Sequence, residues 1–400
     1  MEYQYHIFSE EQASDESVLQ NKKICVIAHM YYLDLMEHCF EYIKRIPKDI
    51  DILITTNENE QANRLEQLIA KMQRNNVRLV MTKNRGREIS ALLVACKDEL
   101  LKYEYLCFVH DKKKNSGIKF RTVGQSFMDI LWENSIKNEA YIKNVIAKFE
   151  EEPKLGFLAP PPPYMSAFFS LGARAWTCNF EITCRLKERL NLNCEINENE
   201  SLFALGTVFW CRTDALRPLF EAGLQYEDFD PEPMGVDGTI SHGIERILPY
   251  VAQSQGYCSG VMMTKEYASI YLSNYQYMIK KIVDKYVKDT GINDLKDIPT
   301  IADRLLSRCK KYKKVYVFGA GVEAGSCVSL FSEMGKQITG IIVSKGHKRQ
   351  QDFRGIPIYE IDEIKPYEDE IIIVALNAKN RAEVMPQLTK SGFKNIERYR

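Results

Sequence analysis

The sequence predicts an α/β protein: a mostly parallel sheet flanked by helices, followed by a smaller α/β domain at the carboxyl end. Two observations predict it. Short apolar runs alternate with stretches of helical spacing from Lys23 to His110, and a fresh alternation begins at Lys314. A length of 400 residues is enough for two or three separate cores.

The elements follow in order. Residues 23–29 form an apolar strand of the kind buried on both faces, and residues 33–45 place Leu33, Met36, Phe40 and Ile43 at helical spacing. A second strand spans 49–56, with a polar helix after it to about Arg74. The third strand is 77–81, its helix 89–102, and the fourth strand 105–110. Beyond residue 115 the pattern loosens. Helices are expected over 126–149, a strand at 155–159, an extended stretch at Pro160 to Pro163, a strand at 203–212 and a helix from about Thr239. The expected domains are a flexible acidic tail (1–21), a main domain (22–275), a helical connector (276–312) and a second α/β domain (313–400) with strands at 315–318, 338–343 and 371–375. The tail carries five acids and no Lys or Arg, hence its assignment.

Composition narrows the function. Lys+Arg and Asp+Glu both number 54, so no net positive charge exists to drive sequence-independent binding to nucleic acid. The longest apolar runs, 91–96 and 371–376, are far short of the ~18 residues a spanning helix needs. Eleven cysteines, odd in number and never spaced Cys-x-x-Cys, read as reduced thiols. The expectation is a soluble, cytoplasmic protein, with peripheral contact at the inner face of the cell membrane left open.

Ligands of such sheets bind beyond the carboxyl ends of the strands. Two basic turns fall there: Lys83-Asn84-Arg85-Gly86-Arg87 after the third strand and His110-Asp111-Lys112-Lys113-Lys114 after the fourth. Residues 83–121 hold ten Lys/Arg against five Asp/Glu. Arg85 and Arg87 offer forked donors for phosphate oxygens, and Gly86 allows close backbone approach. A diphosphate is the natural partner; a solvated basic loop is the plainer alternative. His29 ends the first strand beside the same crevice. From Glu221 to Asp237 there are six acids and no Lys or Arg. Asp237 is either the N-cap of the following helix or a general base toward a hydroxyl. On that helix His242 and Arg246 share one face, Ser241 and Glu245 another. Trp210 offers an aromatic surface for a sugar, or fills the core. No Ser-His-Asp, His-x-x-x-His or phosphate-loop motif is present. The turn at Gly319, Gly321 and Gly325 is of dinucleotide type, but the next strand ends in Ser344-Lys345 without the acid a ribose needs, which speaks against NAD(P).

Taken together, the strand ending in His29, Asn84-Arg-Gly-Arg87, His110-Asp-Lys-Lys113, Gly206-Thr-Val-Phe-Trp210 and Asp237 to Arg246 resemble the rhamnan synthesis protein F family over about 22–265. The resemblance implies a glycosyltransferase of GT-A type in bacterial cell-surface polysaccharide synthesis. Its donor would be a nucleotide-activated deoxysugar, typically dTDP-L-rhamnose, and its acceptor a glycan or lipid-linked glycan. It implies an inverting displacement with Asp237 as base. The donor side would comprise His29, Asn84, Arg85, Gly86, Arg87, His110, Asp111, Lys112 and Lys113; the acceptor side Trp210, His242, Glu245 and Arg246. Where GT-A enzymes place a metal-binding Asp-x-Asp, this chain has Asp111 alone: Asp111 could bind a Mg or Mn ion, or the lysines could replace it, and the second is favoured. A nucleotide-binding regulatory protein on a degenerate transferase fold is the alternative. The last ninety residues, with Phe353 to Tyr359, resemble a Rossmann-type domain of sugar-processing enzymes.

Overall fold

The computed structural model describes residues 4–113, 127–161, 176–198, 204, 206–235, 237–290, 300–366 and 368–399. Lys114, Pro162, Pro163, Phe203, Leu205 and residues 291–299 of the expected connector lie outside the described residues. The chain divides into two compact units, Met1–Met278 and Ile279–Arg400.

The strands of the first unit are β1 (Gln4–Phe8), β2 (Ile24–His29), β3 (Asp51–Thr56), β4 (Val77–Met81), β5 (Tyr105–His110), β6 (Leu155–Ala159), β7 (Phe209–Arg212) and β8 (Cys258–Thr264). They form one sheet in the order β1-β8-β6-β7-β5-β2-β3-β4. Among the described residues its pairings are parallel except those of β7 with β5 and β6. The helices are α1 (Met36–Ile43), α2 (Asn59–Lys71), α3 (Arg87–Ser90), α4 (Lys97–Leu100), α5 (Phe127–Ile136), α6 (Glu139–Glu151), α7 (Phe180–Arg189), α8 (Arg217–Phe220), α9 (Ile240–Ser254) and α10 (Lys265–Thr290).

Every residue of β2 and β5 is buried, because the sheet is covered on both faces. Alternate side chains feed two apolar layers: Cys25 and Ile27 join Phe108 and Ile247 in one, while Val26 and Ala28 join Val109 and Trp132 in the other. The helical stretch expected over 126–149 is two helices. Asn138 ends the run by capping α6, its Oδ1 accepting the Tyr141 N–H at 3.0 Å. The strand expected from residue 203 begins only at Phe209, because Gly206 and Thr207 both take positive φ, +94° and +52°, and turn the chain into β7.

The amino-terminal tail is a correction. Residues 4–8 are a strand, pairing with β8 so that Gln4 lies beside Gly260 and Phe8 beside Thr264. Asn144 holds the following turn by accepting from Ser14 N–H and donating to the carbonyls of Ser9 and Gln12. The acids that suggested disorder lie mostly at the surface, where Glu16 meets Lys143, while Phe8, Val18 and Leu19 are buried.

The second unit carries α11 (Ile301–Cys309), β9 (Lys314–Phe318), α12 (Val322–Glu333), β10 (Gly340–Val343), β11 (Asp352–Phe353), β12 (Ile356–Glu360), β13 (Glu370–Val374), α13 (Ala378–Lys390) and β14 (Ile396–Arg398). Its sheet order is β11-β12-β10-β9-β13-β14, parallel apart from β11 with β12. Thr300 opens α11 with a capping box to Asp303, and Leu305 and Cys309 enter this unit's core, so α11 belongs to its fold.

Candidate active site at the strand carboxyl ends

β2 and β5 run parallel with His29 and His110 in register, so both rings lie at the same edge of the sheet. His29 is buried, with Nδ1 2.9 Å from Thr55 Oγ1, and burial pushes its imidazole down to about 4. His110 is held on three sides. Trp132 Nε1 donates to its carbonyl at 2.9 Å, its Nδ1 lies 2.9 Å from the Asp111 carbonyl, and its Nε2–H donates to the Gly206 carbonyl at 2.6 Å.

Asp111 is buried behind them. One carboxylate oxygen accepts the N–H groups of Tyr31 and Tyr32 at 2.8 and 2.7 Å; the other, Oδ1, has no partner among the described residues. Burial raises the carboxyl to about 6 against the pull of those two amides. At the end of β3, Thr56 Oγ1 and Asn57 Oδ1 are likewise buried and unpartnered. Buried polar atoms are normally paired, so unpaired acceptors at these strand ends mark places where a ligand can supply donors. Among the described residues no three His, Cys, Asp or Glu side chains are grouped to hold a metal ion.

The basic turns are less free than their composition suggests. Arg85 is committed to backbone, donating to the carbonyls of Phe229 at 2.8 Å and Glu227 at 3.2 Å. Lys113 pairs with Asp34 at 2.7 Å and lies over the Tyr32 ring. Lys112 stands over the Phe127 ring, and Asn84 is exposed. Arg87, at φ +52° and largely exposed, lies 3.8 Å from Glu232 and in electrostatic reach of both Tyr32 and His242. Arg87 thus links the basic and acidic segments. Gly86 serves packing: at φ +83°, a Cβ there would meet the Phe229 ring at 2.5 Å, so the close approach is to protein and not to a ligand.

The sequence reading missed Glu88. Burial alone would raise its carboxyl, but His110, its backbone hydrogen bond, Lys112 and His29 hold it below the ordinary value. It opens α3 directly after the arginine turn, where a carboxylate also complements the helix N-terminus. The only signal was its place in Arg-Gly-Arg-Glu.

On the acidic side, Asp237 is not the N-cap of α9; Thr239 holds that position. Asp237 Oδ1 accepts from Asn179 Nδ2 at 2.5 Å and Gly238 N–H at 3.0 Å, and Oδ2 accepts from the Thr177 hydroxyl. Burial would raise this carboxyl, but those hydrogen bonds and Arg246 hold it low. Thr177 and Asn179 were not foreseen, since about sixty positions separate them from Asp237. Burial lowers the His242 imidazole, and Nδ1 lies 2.7 Å from Thr239 Oγ1. Arg246 is buried; Nη1 pairs with Glu245 Oε2 at 2.7 Å, and Nε has no partner among the described residues. Glu245 Oε1 accepts the Gly206 N–H. Trp210 is a correction. It is wholly buried, with Nε1 donating to the Ser135 carbonyl at 2.9 Å, so it fills the core and offers no face to an acceptor.

In the second unit, Gly319 has φ +118°, and a Cβ there would meet the Ala375 carbonyl at 2.8 Å. Gly321 is the N-cap of α12, and Gly325 is buried within that helix. Lys345, after β10, pairs with Asp362 at 2.9 Å.

The family described as Rhamnan synthesis protein F matches residues 5–257. Two curated proteins, each named Uncharacterized protein WxcX and from two strains of Xanthomonas campestris pv. campestris, are 26% identical over 239 residues. The match takes in 58% of this chain and 32% of theirs, so the chain spans about a third of their length. Among solved structures, the mannosyltransferase PcManGT from Pyrobaculum calidifontis, in complex with GDP-Man and Mn2+, aligns at a TM-score of 0.34 and 14% identity. That alignment covers 64% of this chain and 59% of the other. No helix of the described residues is long and apolar enough to cross a membrane. The family match takes in His29, His110, Asp111 and Asp237, and the chain belongs to the rhamnan synthesis protein F family.

Proposed function

We propose that the first unit is a glycosyltransferase of GT-A type that moves a deoxysugar, L-rhamnose from dTDP-L-rhamnose, onto a hydroxyl of a bacterial cell-surface polysaccharide. The observation that carries this reading is the set of buried, unpartnered acceptors at the carboxyl ends of β3 and β5, adjoining the two histidines. Membership of a family described by rhamnan synthesis supports the sugar. In the reaction, Asp237 takes the proton of the acceptor hydroxyl as its oxygen bonds to the anomeric carbon. The bond from that carbon to the diphosphate oxygen breaks, and the sugar inverts. A carboxyl held low stays ionised at neutral pH, ready for the proton. Of the basic side chains, Lys112 and Arg87 are assigned to the leaving diphosphate; Arg85 is engaged with the Phe229 carbonyl and Lys113 with Asp34.

The acceptor is read as a glycan or lipid-linked glycan met at the inner face of the membrane. The second unit is read as a Rossmann-like accessory domain. The test is turnover of a labelled nucleotide-sugar panel by the full chain, with and without Mg or Mn, beside Asp237→Asn. Loss of transfer by roughly 10²–10⁴-fold is expected of the variant. Undiminished turnover removes Asp237 from the role, and donor binding without transfer to any acceptor favours a regulatory protein instead.

A further inference from the structure

We propose that Glu245 is a positioning residue that sets the His110 ring through the Gly206 peptide, and not a contact for the acceptor. The chain of contacts is continuous. Glu245 Oε1 accepts the Gly206 N–H, and the carbonyl of Gly206 accepts from His110 Nε2 at 2.6 Å. Because a carbonyl oxygen can only accept, His110 carries a proton on Nε2 whenever this bond is made. The other Glu245 oxygen pairs with the buried Arg246, which in turn reaches the His242 carbonyl at 3.4 Å. The carboxylate is therefore fixed on α9 from behind, with its free oxygen presented to the Gly206 N–H.

What Glu245 holds is a strained turn. Gly206 has φ +94°, and a Cβ there would meet Leu131 Cδ1 at 2.8 Å; Thr207 follows at φ +52° and is buried. A threonine in this region persists only where its surroundings impose it. The carboxylate of Glu245 supplies that constraint, and the result is a carbonyl aimed at the ring that ends β5. His110 lies beside Asp111 and in electrostatic reach of Glu88. A released ring would disorder the donor end of the crevice from a residue on a different helix. The catalytic consequence rests on the transferase reading; the structural one does not.

Two variants separate reach from charge. Glu245→Gln keeps an acceptor oxygen at the same distance and loses the charge facing Arg246. Glu245→Asp keeps the charge and withdraws the oxygen by one methylene. The structural readout is the imidazole ¹H–¹⁵N spectrum of the full chain, in which six histidines are assigned with the help of His110→Asn. The slowly exchanging His110 Nε2–H signal is expected to survive in Glu245→Gln and to vanish in Glu245→Asp. In parallel, kcat/KM for the nucleotide sugar is expected to fall about tenfold or more in Glu245→Asp and to stay near wild type in Glu245→Gln. The reverse order assigns Glu245 to charge balance with Arg246 and overturns the proposal. Equal behaviour of the two variants, including loss of the fold in both, also overturns it. If the wild type turns over no nucleotide sugar, the transferase reading fails while the spectra still decide the role of Glu245.

Discussion

Asp111 fastens the end of β5 to the turn after β2 by accepting the Tyr31 N–H at 2.8 Å on the same oxygen that takes Tyr32. The other oxygen is left buried without a donor, and burial raises the carboxyl to about 6 from an ordinary 3.8. Between those values the folded chain holds a proton that the unfolded chain has released, so this group subtracts stability as pH rises from about 4 to 6. Asp111→Asn keeps an acceptor for the two amides and removes the charge. It should therefore raise the melting temperature at pH 7, by the equivalent of about 1–3 kcal/mol, with the gain shrinking toward pH 4. Melts of both proteins across pH 4–8 check this, and the same variant should bind the donor more weakly.

His29 works in the opposite sense. Its imidazole is lowered to about 4 from an ordinary 6.5, so below pH 6.5 the unfolded chain takes up a proton that the folded chain refuses. Stability contributed by the neutral ring is lost as pH falls from 6.5 toward 4, at ~1.4 kcal/mol per unit of separation. His29→Asn should flatten this part of the acid limb in denaturant titrations.

Gly86 is predicted to tolerate no side chain. Gly86→Ala should destabilise the fold by about 1–3 kcal/mol, combining an unfavourable φ with a clash into Phe229. Phe229→Ala, which removes the ring carbons that a Cβ at residue 86 would strike, is expected to couple with Gly86→Ala and rescue part of that loss in a double-mutant cycle measured by chemical unfolding. Equal losses with and without Phe229 would mean that backbone conformation alone is responsible.

The Thr177 hydroxyl holds the Asp237 carboxyl low, so its removal should be visible in the pH dependence of turnover. Thr177→Val should shift the acid limb of kcat/KM to higher pH while leaving the fold intact. An unmoved limb would separate Asp237 from the titration that governs catalysis.

Much of the framework was legible because burial on both faces leaves a plain record: Ile24 to His29 and Tyr105 to His110 are uninterrupted apolar strands, and their terminal histidines could be placed without coordinates. Direction was not legible. The sequence around Arg85 gives its charge, not that its guanidinium turns toward the carbonyls of Glu227 and Phe229 far along the chain. Nor does it give the partners of Asp237, which come from the turn before α7. Trp210 shows the limit most clearly, because an aromatic residue at a strand start suits a binding face and a core equally well, and only the α5 carbonyl of Ser135 decides between them. The acidic opening residues hid a strand because net charge outweighed five residues of β-type pattern.

That strand has a consequence for synthesis and for dissection of the chain. Gln4 to Phe8 leave the ribosome well before their neighbour in the sheet, Gly260 to Thr264, which emerges more than two hundred residues later. Until then the nascent domain has an unfinished edge, and pairing over such sequence separation is slow. A fragment cut at residue 257, where the family match stops, would lack β8 altogether and leave β1 detached from β6. Such a fragment should aggregate, whereas one extended through the first turns of α10 should fold.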